Sequence, residues 1–184
     1  MKKKIDVYEH MGEILKGVKS GVLITGKADD KVNSMTISWG MLGIEWGKPI
    51  FVTFIRENRF TRSLIEKTGE FTVSIPIDDS AKKILGFCGS KSGRDIDKAK
   101  EIGLTYEEPE MTSVPGVKAL PLTLECKVVY KQAQDMNDMT EENKAKINEA
   151  TEKAVDKVES YNKNNLFEKI FFGVSIALAI FTLL

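Results

Sequence analysis

The sequence predicts a mainly β protein, a closed or split antiparallel barrel with small helices around it. Three observations predict this class. Period-two alternation recurs in Val32–Trp39, in Phe71–Ile75 and in Leu122–Tyr130, which is the spacing of strands with two distinct faces. Turn residues separate short apolar runs, as at Gly26–Lys31 with its Asp29-Asp30 pair. No strand alternates with long helical segments in the βαβ rhythm that a parallel sheet needs.

Gly21–Thr25 is a short apolar run and reads as a buried strand. The Gly26–Lys31 turn makes it one arm of a hairpin whose second arm is Val32–Trp39. In that second arm Met35, Ile37 and Trp39 point one way, and Ser34, Thr36 and Ser38 the other. Ile50–Ile55 is continuously apolar and reads as a strand buried on both faces. Phe60–Lys67 has helical character and ends at Gly69, a C-cap residue. Phe71, Val73 and Ile75 alternate with Thr72 and Ser74 until Pro76 closes the strand.

Asp78, Asp79 or Ser80 caps a helix that runs to Cys88 and is closed by Gly89. Asp95–Ile102 is a second short helix, closed by Gly103, and Pro109–Pro121 is irregular. Leu122, Leu124, Cys126, Val128 and Tyr130 carry the strongest strand signal, which places Cys126 in the core. Residues 138–163 read as a highly charged peripheral helix with capping-box spacing at Asp138 and Glu141. Residues 170–184 are apolar and uncharged, but a membrane span needs about 18–20 residues. A closing strand is therefore expected there and a membrane anchor is not.

The 184 residues suit one domain that buries a core without staples. Basic and acidic residues cancel, 27 against 27, so no excess exists to neutralise a nucleic-acid backbone, and that class of partner is not expected. Cys88 and Cys126 make no disulfide framework, and Met1-Lys2-Lys3-Lys4 opens no signal peptide, so a reducing cytoplasm is the expected setting. His10 is the only histidine, which argues against a zinc cluster and against a Ser–His nucleophile pair. No metal site and no catalytic side chain are assigned, and a bound cofactor is left to carry the chemistry.

Three segments stand out as candidate ligand sites. Asn33, Ser34, Thr36 and Ser38 form a polar strand face, either solvated or ligand-binding. Arg56-Glu57-Asn58-Arg59-Phe60-Thr61-Arg62 places three arginines where a strand ends and a helix begins. A helix N-terminus presents free N–H groups that suit phosphate, and arginine adds bidentate contacts. The same arginines would otherwise pair with Glu57 or Glu66. Cys88-Gly89-Ser90-Lys91-Ser92-Gly93-Arg94-Asp95 lacks the glycines of a P-loop at positions 85 and 90, and so is no Walker motif. It remains an anion-contacting loop or a plain connection.

Taken in order, six stretches resemble one family. They are Asn33-Ser-Met-Thr-Ile-Ser-Trp39, Trp46-Gly-Lys-Pro49, Arg56-x-x-Arg59-x-Thr61, Thr68-Gly-Glu-Phe-Thr-Val73, Cys88-Gly-x-x-Ser-Gly-Arg-Asp-x-Asp-Lys98 and Leu120-Pro-Leu-x-Leu-Glu-Cys126. Together they are similar to the flavin-reductase-like proteins with an FMN-binding split barrel, flavoredoxins included. The likeness runs from Val7 to Asp135; each stretch is weak alone and the ordered set is specific.

The resemblance implies a split barrel of antiparallel Greek-key type and a homodimer binding FMN near the subunit interface. By that resemblance Asn33, Ser34, Met35, Thr36 and Ser38 line the flavin ring and phosphate largely through backbone groups. Trp39 packs near the ring, or else in the barrel core. Arg56, Arg59, Phe60 and Thr61 hold the phosphate and ribityl chain, and Cys88, Gly89, Ser90, Lys91 and Ser92 add contacts from their loop. A reductase of this kind takes NAD(P)H as co-substrate and passes electrons to a redox acceptor, protein or small molecule. An FMN electron carrier without NAD(P)H activity and a non-catalytic flavin binder are the alternatives. Family members often close with His-x-x-Tyr-Phe-Gly-Glu-Ile, where this chain has Glu168-Lys-Ile-Phe-Phe-Gly173-Val174-Ser175. That departure bears on substrate contacts more than on FMN binding.

Overall fold

The computed structural model describes residues 2–133 and positions 140–142, 144, 145, 148, 149 and 152. The chain divides into two compact units, Met1–Val129 and Tyr130–Leu184, and the architecture below is that of the first. In the second, the described positions from 141 onward are helical, while the rest of the expected 138–163 helix and the expected 170–184 strand lie outside the described residues. Among the described residues no helix is long and apolar enough to cross a membrane.

An N-terminal helix, α1 (Val7–Ser20), is capped by Asp6, whose carboxylate accepts from the Tyr8 N–H. Strands β1 (Val22–Ala28) and β2 (Lys31–Ile37) then form the expected hairpin, with Val22 opposite Ile37 and Ala28 opposite Lys31. The turn is tighter than the sequence suggests. Only Asp29 and Asp30 lie in it, with Asp29 at φ 53°, a left-handed conformation that Asp tolerates. Gly26 belongs to the strand instead, because α2 (Phe60–Thr68) lies directly on it. A Cβ there would come within 3.0 Å of Ile65 Cγ1 and of the Thr61 carbonyl.

Strand β2 stops at Ile37, and a strand that the sequence did not announce, β3 (Gly40–Glu45), follows. It pairs with β4 (Lys48–Thr53) through a two-residue Trp46-Gly47 turn with both φ positive, 50° and 67°. The expectation that Ile50–Ile55 is buried on both faces fails here. The ribbon carries Trp39, Met41, Ile44, Trp46 and Val52 exposed, with Trp46 at 77% and Ile44 at 65%. A two-stranded ribbon covers at most one of its faces, so an apolar strand in it stays open on the other. Trp39 is accordingly no part of the core.

Gly69 closes α2 in the left-handed conformation, its N–H donating to the Ile65 carbonyl at 2.7 Å. Strand β5 (Glu70–Ile75) leads to a 3₁₀ turn, Asp79–Ala81, capped by the Asp78 carboxylate. Helix α3 (Lys82–Ser90) runs through Gly89 rather than ending at it, and α4 (Lys98–Ile102) starts later than expected because Asp97 caps it. The irregular stretch contains one short pairing, β6 (Tyr106–Glu107) with β7 (Gly116–Val117). Strand β8 (Leu122–Lys127) ends before Tyr130.

The main sheet is antiparallel in the order β2-β1-β5-β8, so among the described residues β2 and β8 are its edges. One face holds Val22, Ile24, Met35, Ile37, Val73 and Ile75 against Ile14 and Val18 of α1 and Ile65 of α2. Each such side chain contributes about 1.5–3 kcal/mol on burial. Gly17 of α1 sits so close to Ile75 that a Cβ has no room. The other face carries the hydroxyls together with Leu23, and it is covered as well, by Ala81, Cys88, Leu104, Val117 and Leu120. Thr25, Ser34, Thr72 and Ser74 are fully buried there. Period-two alternation therefore separates an apolar inner face from a polar inner face, not inside from outside.

Candidate functional site

The polar inner face satisfies itself. Thr25 Oγ1 and Ser34 Oγ share a 2.7 Å hydrogen bond, and the Ser34 hydroxyl lies 3.1 Å from the Tyr106 hydroxyl. Thr36 Oγ1 donates to the Leu85 carbonyl of α3 at 2.6 Å, and Thr72 Oγ1 donates to the Pro115 carbonyl at 2.8 Å. Among the described residues no buried side-chain nitrogen or oxygen lacks a partner. The hydroxyls of Ser34 and Thr36 are thus spent inside the fold, and what β2 offers a ligand is its backbone.

That backbone is available because β2 is an edge strand. In an antiparallel pair alternate residues turn both N–H and C=O away from the partner. The Ser34 carbonyl accepts from Lys98 Nζ at 3.0 Å, which places it on the outer edge, and Thr36 shares its parity. Asn33, with the parity of Met35 and Ile37, belongs to the other face and not with the hydroxyls as the sequence grouping had it. Its amide donates to Thr61 Oγ1 at 2.7 Å, both groups being buried.

Two segments meet at this edge. The strand-to-helix turn carries Arg56, Arg59 and Phe60, with the Arg59 N–H donating to the Arg56 carbonyl at 3.2 Å. Arg59 occupies the N-cap position of α2 without capping it by a side-chain bond; the Arg62 N–H donates to the Arg59 carbonyl at 3.1 Å, and among the described residues the Phe60 and Thr61 N–H groups have no hydrogen-bond partner. From the opposite side comes the α3–α4 loop. Gly89 lies against Thr36, and Gly93 lies so close to Asn33 that a Cβ would run into its amide. Arg94 Nη1 donates to the Asn58 carbonyl at 2.7 Å. The guanidinium of Arg56 lies over the Trp39 ring and that of Arg94 over the Phe60 ring, each 5.6 Å from the ring centre.

The turn is strongly positive. Glu57 and Glu66 are taken by Arg62, at 3.4 and 3.1 Å, which confines the predicted surface pairing to that one arginine. Among the described residues no carboxylate lies within ion-pair distance of Arg56, Arg59, Arg94 or Lys98. Partial burial and the neighbouring Arg56 both push the Arg59 pKa down, yet a guanidinium stays charged. Lys98 is buried at 4% exposure and donates to the Ser34 and Cys88 carbonyls, at 3.0 and 2.7 Å. Its burial lowers its pKa, the Cys88 thiol opposes that, and Arg59 adds to it. Cys88 itself is pushed up by burial against the pull of Lys98. Cys126, packed beside the apolar core, is pushed up to about 12 by burial.

The structure therefore brings Asn33, Ser34, Thr36, Arg56, Arg59, Phe60, Thr61, Cys88 and Gly89 to one edge of the sheet, with Trp39 attached through Arg56. It turns Met35 into the apolar core, and it spends the Ser90 hydroxyl and the Lys91 N–H on the Phe87 carbonyl at the end of α3. Ser92 accepts from the Arg94 N–H, and Ser38 is exposed at the end of β2. Arg94, Lys98 and Tyr106 join these residues through Asn58 and Ser34, and composition and periodicity do not single them out. A turn rich in arginine at a helix N-terminus, with an exposed indole next to it, has the chemistry that suits an anionic, partly aromatic ligand.

Residues 15–140 match the family model of the flavin reductase like domain, and the chain belongs to that family. An uncharacterized protein of Archaeoglobus fulgidus is 30% identical over 120 residues, 65% of this chain and 66% of its own length. The FMN-binding domain of a flavin reductases-like enzyme from Shewanella baltica superposes with a TM-score of 0.57 at 20% identity, over 66% of this chain and 64% of that one. The flavoredoxin of Desulfovibrio vulgaris superposes with a TM-score of 0.57 at 22% identity, over 66% and 73%. The chain thus spans just under two thirds of the first two of these relatives. The shared architecture is the split barrel, mainly antiparallel sheet with a few helices.

Tyr106 supplies a check on the polar inner face. Burial pushes its phenol from 10.0 up to about 12, the Ser34 hydrogen bond opposing and the charges of Cys88 and Asp97 adding. In the unfolded chain the phenol ionises first, so its contribution to stability is complete below pH 10 and is lost as pH rises toward about 12. Urea unfolding across that interval should show a shallower loss for Tyr106→Phe than for the wild type. Equal slopes would mean the phenol is not held as described.

Proposed function

We propose that this chain binds FMN at the outer edge of β2 and passes hydride or electrons from NAD(P)H through it to an acceptor. The observation that carries the reading is the unneutralised Arg56–Arg59 turn at the uncapped start of α2, beside an edge strand with free backbone groups. A phosphate dianion supplies the missing countercharge there. The residues fit such a ligand in both its parts: Arg59 and the first N–H groups of α2 take the phosphate, and the Ser34–Thr36 edge and Trp39 flank the ring. Bound FMN would supply the two-electron chemistry. The chain's own part is to bind, orient and bias charge. Arg56, Arg94 and Lys98 place positive charge around the site, which favours an electron-rich ligand.

The similarity to a flavoredoxin supports a second reading, an FMN carrier that exchanges electrons without NAD(P)H. Anaerobic mixing of the purified holoprotein with NADH or NADPH separates the two. Bleaching of the flavin absorbance is expected for the reductase; persistent yellow colour with nucleotide, and bleaching by a ferredoxin-like donor, would give the carrier reading.

The apolar ribbon of β3 and β4 supports a homodimer, since Trp39, Met41, Ile44, Trp46 and Val52 leave an exposed patch that a second copy would cover. Cytoplasmic residence accords with two free cysteines in the reduced form.

Two outcomes follow. Arg59→Ala should weaken FMN binding by about 1–3 kcal/mol, the scale of a lost charged hydrogen bond, read by fluorescence titration; unchanged affinity would remove Arg59 from the site. Ile44→Asp should convert a dimer to monomer in sedimentation equilibrium, and a monomeric wild type at working concentration would reject the ribbon as the interface.

A further inference from the structure

The α3–α4 loop carries a cation whose geometry has a consequence for ligand choice. Arg94 Nη1 donates to the Asn58 carbonyl at 2.7 Å, and its guanidinium lies 5.6 Å from the centre of the Phe60 ring. Asn58 sits inside the turn that the Arg59 N–H closes on the Arg56 carbonyl. The loop's approach is fixed from behind: the Arg94 N–H donates to Ser92 Oγ at 3.2 Å, and a Cβ at Gly93 would come within 2.9 Å of Phe60 Cδ1. Only a glycine lets the loop come this near.

Three guanidinium groups share this turn, and among the described residues none of them has a carboxylate within ion-pair distance, Glu57 pairing with Arg62 instead. Arg56 is held on the Trp39 ring and Arg94 on the Phe60 ring, whereas Arg59 has neither stack nor side-chain hydrogen bond among the described residues. Like charges so placed repel and would splay the turn. The Arg94 bond to the carbonyl within the turn opposes that splay. Two of the three cations are thus scaffold and the third is left to meet a ligand.

We propose that Arg94 is a positioning residue that clamps Asn58 and Phe60, holds the Arg56–Arg59 turn in register with the first N–H groups of α2, and thereby sets the preference for a phosphorylated flavin over riboflavin. The inference rests on the FMN reading above. Its test uses the full-length chain stripped of flavin, titrated separately with FMN and with riboflavin.

For Arg94→Ala we expect about a tenfold loss of FMN affinity with less than about a twofold change for riboflavin and an unaltered melting temperature. Arg94→Lys keeps the charge but not the flat stacking surface, and should recover little. In an Arg59→Ala background the Arg94→Ala change should have almost no further effect on the FMN-to-riboflavin ratio, because the two act in series. An unchanged ratio in Arg94→Ala overturns the inference, as does full recovery by Arg94→Lys, which would make Arg94 a charge acting through space. Equal loss of both flavins also overturns it, by making the residue a general support. A wild type that binds neither flavin instead removes the functional reading itself, and the role of Arg94 with it.

Discussion

The position of β2 at the edge of the sheet is the constraint on which the rest depends. Among the described residues β2 pairs with β1 alone, so one row of its backbone groups faces away from the sheet while both its faces are covered. The Lys98 ammonium occupies one carbonyl of the row and ties it to the end of α3. The start of α2 meets the same edge from the apolar face through Asn33 and Thr61. Two elements remote in sequence thus meet at one strand that, among the described residues, has no strand on its outer side.

Much of this was legible beforehand. The β1–β2 hairpin, α2 with its Gly69 stop, β5 and β8 all follow from period and punctuation, since each pattern is local. β3 was not, because Gly40 and Gly43 interrupt its apolar residues and only the facing strand β4 makes it a strand. Burial was legible only in part. Ile50–Ile55 has the composition of a core strand but lies in an open ribbon, and the serines and threonines of β2 and β5 look solvated but are wholly enclosed. Sequence shows what a side chain prefers, while the layers that cover it are set by distant segments.

The site follows the same division. The arginine turn could be singled out as a candidate anion site from a strand ending in basic residues before a helix. The role of Lys98 could not, since a lysine in a charged stretch gives no sign that it will be buried against two carbonyls. Asn33 was grouped with the hydroxyls although strand parity sets it with Met35; the side chain is polar because it meets Thr61 at the strand's end, where the apolar face runs out. That no described carboxylate pairs with Arg59 is a property of the folded chain alone, because Glu57 and Glu66 stand near it in sequence and turn to Arg62.

The β3–β4 ribbon has one more consequence. The chain has two tryptophans, Trp39 and Trp46, and both lie on or beside this ribbon with most of their surface in water, while the core contains none. Intrinsic indole emission from this protein is therefore a report on the ribbon, not on the packing of the interior. A blue shift would record something settling over the hairpin while the core stayed as it was, and loss of the core would leave the emission colour nearly unchanged. Of the two indoles, Trp39 lies under the Arg56 guanidinium, so the two reporters see different charge and separate events at the cationic turn from events at the hairpin tip.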